Sequence, residues 1–202
     1  MRTFYLFVPL RITSIVIFLF ISCKNKGSIK EEPANKSIEA NKVKETKLEE
    51  NPYTGLRDLS FSATPEELKL KLDENKTIVF GIVMDWDIGQ AIATTSAFKT
   101  GDASLYISTG QVYLGGYAHE NVRNAALDFV NKGQEYLSKS TLTLETALPD
   151  KNCVKFYLLT NKGKYVIQDS VDKITGQRSD LTPLFDLGNK VITEYRKTVG
   201  NK

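Results

Sequence analysis

Apolar and polar positions divide the chain into three stretches. Residues 12–21 are a nearly continuous apolar run, and residues 24–50 hold hardly an apolar side chain. From residue 51 onward apolar positions recur with helical and strand periods. Thr64, Pro65 and Glu67 form a capping-box pattern, which predicts a first helix from Thr64 to about Leu72. Residues 77–86 are apolar on both parities, as in a strand covered on both faces or central in a sheet. Small and β-branched residues over 91–99 predict a second strand. Thr100-Gly101-Asp102 predicts a turn and 103–108 a third strand, with a short additional strand over 111–114.

The clearest helix covers 119–138, where Val122, Ala125, Ala126, Phe129, Val130, Gly133 and Leu137 share one stripe. Strands at 153–160 and 164–171 flank the hairpin loop Asn161-Lys162-Gly163. A last helix starts at Thr182 with Pro183 just inside it, and its stripe includes Leu184, Val191, Ile192 and Tyr195. The fold class read from this order, α-β-β-β-α-β-β-α, is α+β: one domain over 51–202, with an antiparallel sheet of about five strands and the two long helices on one face. The order resembles a roadblock or longin-like arrangement, which implies a fold and no activity.

The apolar run at 12–21 is shorter than a membrane span needs. Extending it back to Phe4 would bury Arg11 mid-span, at roughly 2.5–3.5 kcal/mol. With Arg2 and Arg11 before it and small Ser22 after it, residues 1–22 read as a signal peptide. Phe20-Ile21-Ser22-Cys23 resembles the lipobox of bacterial lipoproteins, with Phe20 where Leu is usual. The resemblance implies that Cys23 carries a diacylglycerol and a palmitate-type acyl amide, a stable membrane anchor. It also implies a place in the bacterial cell envelope. Lys24-Asn25 follows without an acidic run, which favours a periplasm-facing domain. With Cys23 lipidated, Cys153 is left unpaired at the head of an apolar strand and reads as a core thiol.

Charge refines this division. Of the net +3, two units lie in 1–22 and one in 24–50, and from residue 51 onward 18 basic residues balance 18 acidic ones. A nucleic-acid partner would want a positive excess on one face, so that class is disfavoured. Residues 24–50, with seven Lys against six Glu, read as a flexible charged tether. As a coil it would set the domain roughly 30 Å from the membrane.

The candidate chemistry sits where the third strand runs through a glycine-bearing loop into the helix at 119. Ser108, Thr109 and Gly110, then Gly115, Gly116, His119 and Arg123, form a candidate ligand-binding segment. Backbone N–H groups at the helix start, hydroxyls and a guanidinium would suit a small anion. Ala103-Ser-Leu-Tyr-Ile-Ser-Thr-Gly110 followed by His119-Glu-Asn-Val-Arg123 resembles a segment of a family of uncharacterised small bacterial proteins, departing from it at Gln111, Val112 and Tyr117. That resemblance implies a shared site and names no reaction.

His119 is the single histidine, nucleophile-elbow spacing is absent and no acid is obviously placed. Zinc would need further ligands, so no metal and no cofactor are expected. Asp85-Trp86-Asp87 would put two carboxylates on one strand face, but reads better as a strand end with a packed Trp. Asp169 and Asp172 read as exposed strand positions. The expected function is a membrane-anchored binding module for an envelope protein or a small anionic ligand. The alternative is an envelope hydrolase or transferase using the 108–123 loop.

Overall fold

The computed structural model describes residues 51–200. The expected signal peptide, the lipidation site Cys23 and the tether lie outside the described residues. The architecture is α+β, with seven antiparallel strands in the order β4-β3-β2-β1-β6-β7-β5 and helices on both faces. Strand β1 (Val79–Asp87) is central, between β2 (Ile92–Phe98) and β6 (Cys153–Thr160). Its residues 79–85 are all buried, which is why both of its parities are apolar. Strands β3 (Ala103–Ile107) and β4 (Val112–Tyr113) extend one side of the sheet, and β7 (Gly163–Ser170) and β5 (Thr141–Thr143) the other. Gly163, at φ +124°, closes the β6–β7 hairpin.

One face carries the long helices α2 (Glu120–Gly133) and α4 (Thr182–Gly200). Their stripes pack on Ile82, Met84, Phe156 and Leu158. Both helices ride close to the strands. A Cβ on Gly133 would stand 2.4 Å from Ile82, and one on Gly188 2.7 Å from the Met84 sulfur. A helix α3 (Val171–Thr175) follows β7 directly.

The opposite face is covered by helix α1 (Tyr53–Ser62) and the chain after it. The chain is fastened at the start of α1 by the Asn51 side chain, whose Oδ1 accepts the Tyr53 N–H at 3.0 Å and whose Nδ2 donates to the Ser108 carbonyl at 2.7 Å. The centre of the contact is a buried ion pair. Arg57 donates to Asp85 from Nε at 3.1 Å and Nη2 at 2.6 Å, and the Thr94 hydroxyl donates to the same carboxylate at 2.5 Å. Tyr53 shares a hydrogen bond with Thr94 at 2.8 Å, and Ser60 one with Tyr106 at 3.0 Å. Burial opposes the charge on Arg57, but the hydrogen bond and the field of Asp85 outweigh it and push its pKa up.

Several expectations need correction. The capping box forms, with the Glu67 N–H donating to the Thr64 hydroxyl at 3.2 Å and the Thr64 N–H to the Glu67 carboxylate at 3.1 Å. No helix grows from it: the chain turns, and Lys69 takes φ +56°. One turn forms, with the Leu68 N–H donating to the Thr64 carbonyl and the Leu70 N–H to the Pro65 carbonyl, and then the chain leaves the helical path so that Leu68, Leu70 and Leu72 all pack against the sheet face. The helix lies earlier, at α1. The sheet has seven strands where about five were expected, because β4 and the short edge strand β5 both pair, and α3 was not foreseen. Cys153 is half-buried instead of a core thiol, and desolvation, then the carboxylates of Asp150 and Asp169, push its pKa up. Asp169 is half-buried, accepting from Lys173 and Ser179, and Asp172 belongs to α3. No described helix is long and apolar enough to cross a membrane.

Candidate functional site

The residues expected to form one site are divided among structural tasks. The Ser108 hydroxyl accepts the Ile92 N–H at 2.9 Å, and its backbone N–H donates to the Ile92 carbonyl at 2.9 Å. Thr109 is exposed, and Gly110 turns the chain at φ +103°. Gly115 also takes positive φ, and Gly116 is buried where a Cβ would stand 2.5 Å from the Tyr195 hydroxyl. His119 opens α2 without a side-chain cap, in an exposed depression shared with Glu194, Lys197 and Thr198. Ser108 does not line that depression. Arg123 donates to the Tyr117 carbonyl at 3.1 Å and lies 5.3 Å over its ring, and its aliphatic stem covers Gly101. The segment 108–123 therefore builds a stiff corner between β3 and α2, with Arg123 holding it closed.

The two strand-end carboxylates are committed as well. Asp85 faces α1 and belongs to Arg57, whereas Asp87 accepts the Asn152 N–H at 2.7 Å and the Gly89 N–H at 2.8 Å. These two amides, Asn152 first, hold the Asp87 carboxyl below its usual range. Among the described residues no group of three or more His, Cys, Asp or Glu side chains is placed to hold a metal ion.

The feature the sequence did not point to is a cleft of about 560 Å³ between the end of the sheet and α4. It follows from the packing. Strand β2 presents only the small Ala93 to the helix side here, and Leu105 of β3 completes the floor. Ile192 and Tyr195, one helical turn apart on α4, close it from above. Tyr195 is pinned by donating its hydroxyl to the Ala103 carbonyl, and desolvation pushes its pKa up. Trp86, at the end of β1 on the helix-facing parity, forms a wall edge-on to Phe185, with ring centroids 5.0 Å apart. Ile107, Tyr113 and Val171 complete the apolar lining.

The rim is polar and divides in two. Asp87 and Asn152 spend their hydrogen bonds on each other's segments, Asn152 also donating to Asp172 at 3.1 Å. Gln111, the Tyr113 hydroxyl and Arg196 make no side-chain hydrogen bond or ion pair with another described residue, and the buried Trp86 indole N–H has no partner either. An apolar cavity of this size with a few unspent polar groups has the character of a small-molecule site. Two sequence features belong to it without disclosing it: a lone Trp at a strand end, and an Arg directly after Tyr195 at the edge of an apolar stripe. The chain matches no protein-family model, no curated protein and no solved structure.

Proposed function

We propose that this chain is a lipid-anchored bacterial envelope protein, held at Cys23 and facing the periplasm, whose domain binds a small amphipathic ligand in the cleft between β1–β3 and α4. The anchoring half rests on the N-terminal pattern and the lipobox resemblance at Phe20–Cys23. The binding half rests on one observation: an apolar cleft of about 560 Å³ whose rim residues Gln111, Tyr113 and Arg196 keep polar groups without side-chain partners among the described residues. The resemblance of its element order to a roadblock or longin-like arrangement is one of architecture alone.

Two measurements test the two halves. Cell fractionation should find the protein in the membrane and its Cys23→Ser variant released from it; equal membrane retention of both would remove the anchor. Protein purified from its native envelope and denatured in organic solvent should release a small molecule. An Ala93→Phe variant, whose ring fills the cleft floor, should release none. The same yield from both proteins would refute binding in the cleft.

A further inference from the structure

Resting on that cleft reading, we infer that the ligand is a monocarboxylate with an apolar body, its carboxylate held by Arg196 at the rim and its body against Trp86, Leu105 and Ile192. The polar groups left over at the cleft decide the head group. Arg196, the Gln111 amide and the Tyr113 hydroxyl all have donors unspent among the described residues. The one carboxylate among the described rim residues, Asp87, accepts two backbone amides. The Gln111 and Tyr113 groups can donate or accept, but the Arg196 guanidinium only donates and carries a full charge with no carboxylate paired to it among the described residues, which suits an anion.

Its charge and shape follow from the same groups. One planar guanidinium matches a carboxylate bidentately. The Asp87 charge on the same rim opposes a second negative charge on the ligand, which argues against a phosphate dianion. The lining from Ala93 to Ile192 is apolar, so the body must be hydrocarbon. Arg196 is exposed and packs no core, so replacing it removes the head-group contact without disturbing the fold.

The sole tryptophan lines the cleft, so its fluorescence reports occupancy. The experiment titrates the full chain, carrying Cys23→Ser so that no acyl chain competes, with dodecanoate and, separately, with dodecanol. Dodecanoate should bind about ten- to a hundredfold tighter than dodecanol, the gain of a hydrogen-bonded charge pair. Arg196→Gln should bring dodecanoate to the level of dodecanol and leave dodecanol unchanged. Equal affinity for both ligands, or dodecanoate binding that ignores Arg196→Gln, overturns the carboxylate assignment and leaves the cleft standing. No saturable signal from either ligand overturns the cleft reading and the assignment with it.

Discussion

Breaking the Arg57–Asp85 pair should be the most damaging polar substitution in the domain. Asp85 is wholly buried and the Arg57 side chain is 8% exposed, so neither charge has water to fall back on. Asp85→Leu would leave the guanidinium in an apolar setting and cost the Thr94 hydroxyl its acceptor. Arg57→Met would strand the carboxylate. Each single change should cost about 3–5 kcal/mol, the usual penalty for an orphaned buried charge. The whole domain has only about 5–15 kcal/mol to lose. The double variant Arg57→Met/Asp85→Leu buries no uncompensated charge, and should be less destabilised than the sum of the singles by at least about 2 kcal/mol. Urea unfolding at neutral pH, followed by far-UV circular dichroism, measures all four proteins. With a slope of about 1–3 kcal/mol per molar, the single variants should lose one to several molar in midpoint. Single-variant losses under about 1 kcal/mol that simply add in the double would refute the claim that α1 is held by this pair.

Other outcomes follow from the cleft and its supports. Gly116→Ala should destabilise by about 1–3 kcal/mol in the same urea assay, because the new Cβ meets the Tyr195 hydroxyl, Val122 and the Ala103 carbonyl at 2.5, 2.8 and 3.0 Å. Tyr195→Phe should cost about 1–3 kcal/mol, since the Ala103 carbonyl loses its hydroxyl donor in a buried place. Asp87→Asn should lower the melting temperature at neutral pH and matter less in acid. The folded carboxyl sits below its usual 3.8, so its contribution is complete above that value and lost as pH falls through the lower folded one. A melting deficit for Asp87→Asn that is independent of pH from 7 down to 2 would contradict this.

What could be read from the sequence follows the range of the forces involved. The stripes of α2 and α4, the double-sided apolarity of β1 and the β6–β7 hairpin are local patterns, and each appears where its periodicity put it. The segment at 64–72 carried two local signals in conflict. A capping box argued for a helix and the spacing of the leucines against one, and the chain makes a single turn before the sheet face that the leucines cover redirects it. Helix α1 was hidden for a related reason. Its buried side includes Arg57 and Ser60, which look like surface residues until Asp85 and Tyr106 stand opposite them across the fold. The cleft was illegible because it is defined by volume that is left empty. Nothing local to Ala93, Leu105 or Ile192 says that their side chains fail to meet. Conversely, the 108–123 segment looked chemical because Gly, Ser, His and Arg cluster there, and the structure spends Ser108 and Arg123 on holding a corner.

The position of α1 has a mechanical consequence. A pull along the chain toward residue 51 reaches the described residues at Asn51, where the first described link is the hydrogen bond to the Ser108 carbonyl. Tyr53–Thr94, Arg57–Asp85 and Ser60–Tyr106 come next in order along the helix. The load thus falls on single side-chain links one after another, in the manner of a zipper, and the buried ion pair is the strongest tooth. Strand β1 is flanked by full ladders on both sides and feels tension only after the helix has peeled away. The described domain thereby has a sacrificial latch at its N-terminal end, and the cleft on the opposite face of the sheet keeps its shape while that latch holds.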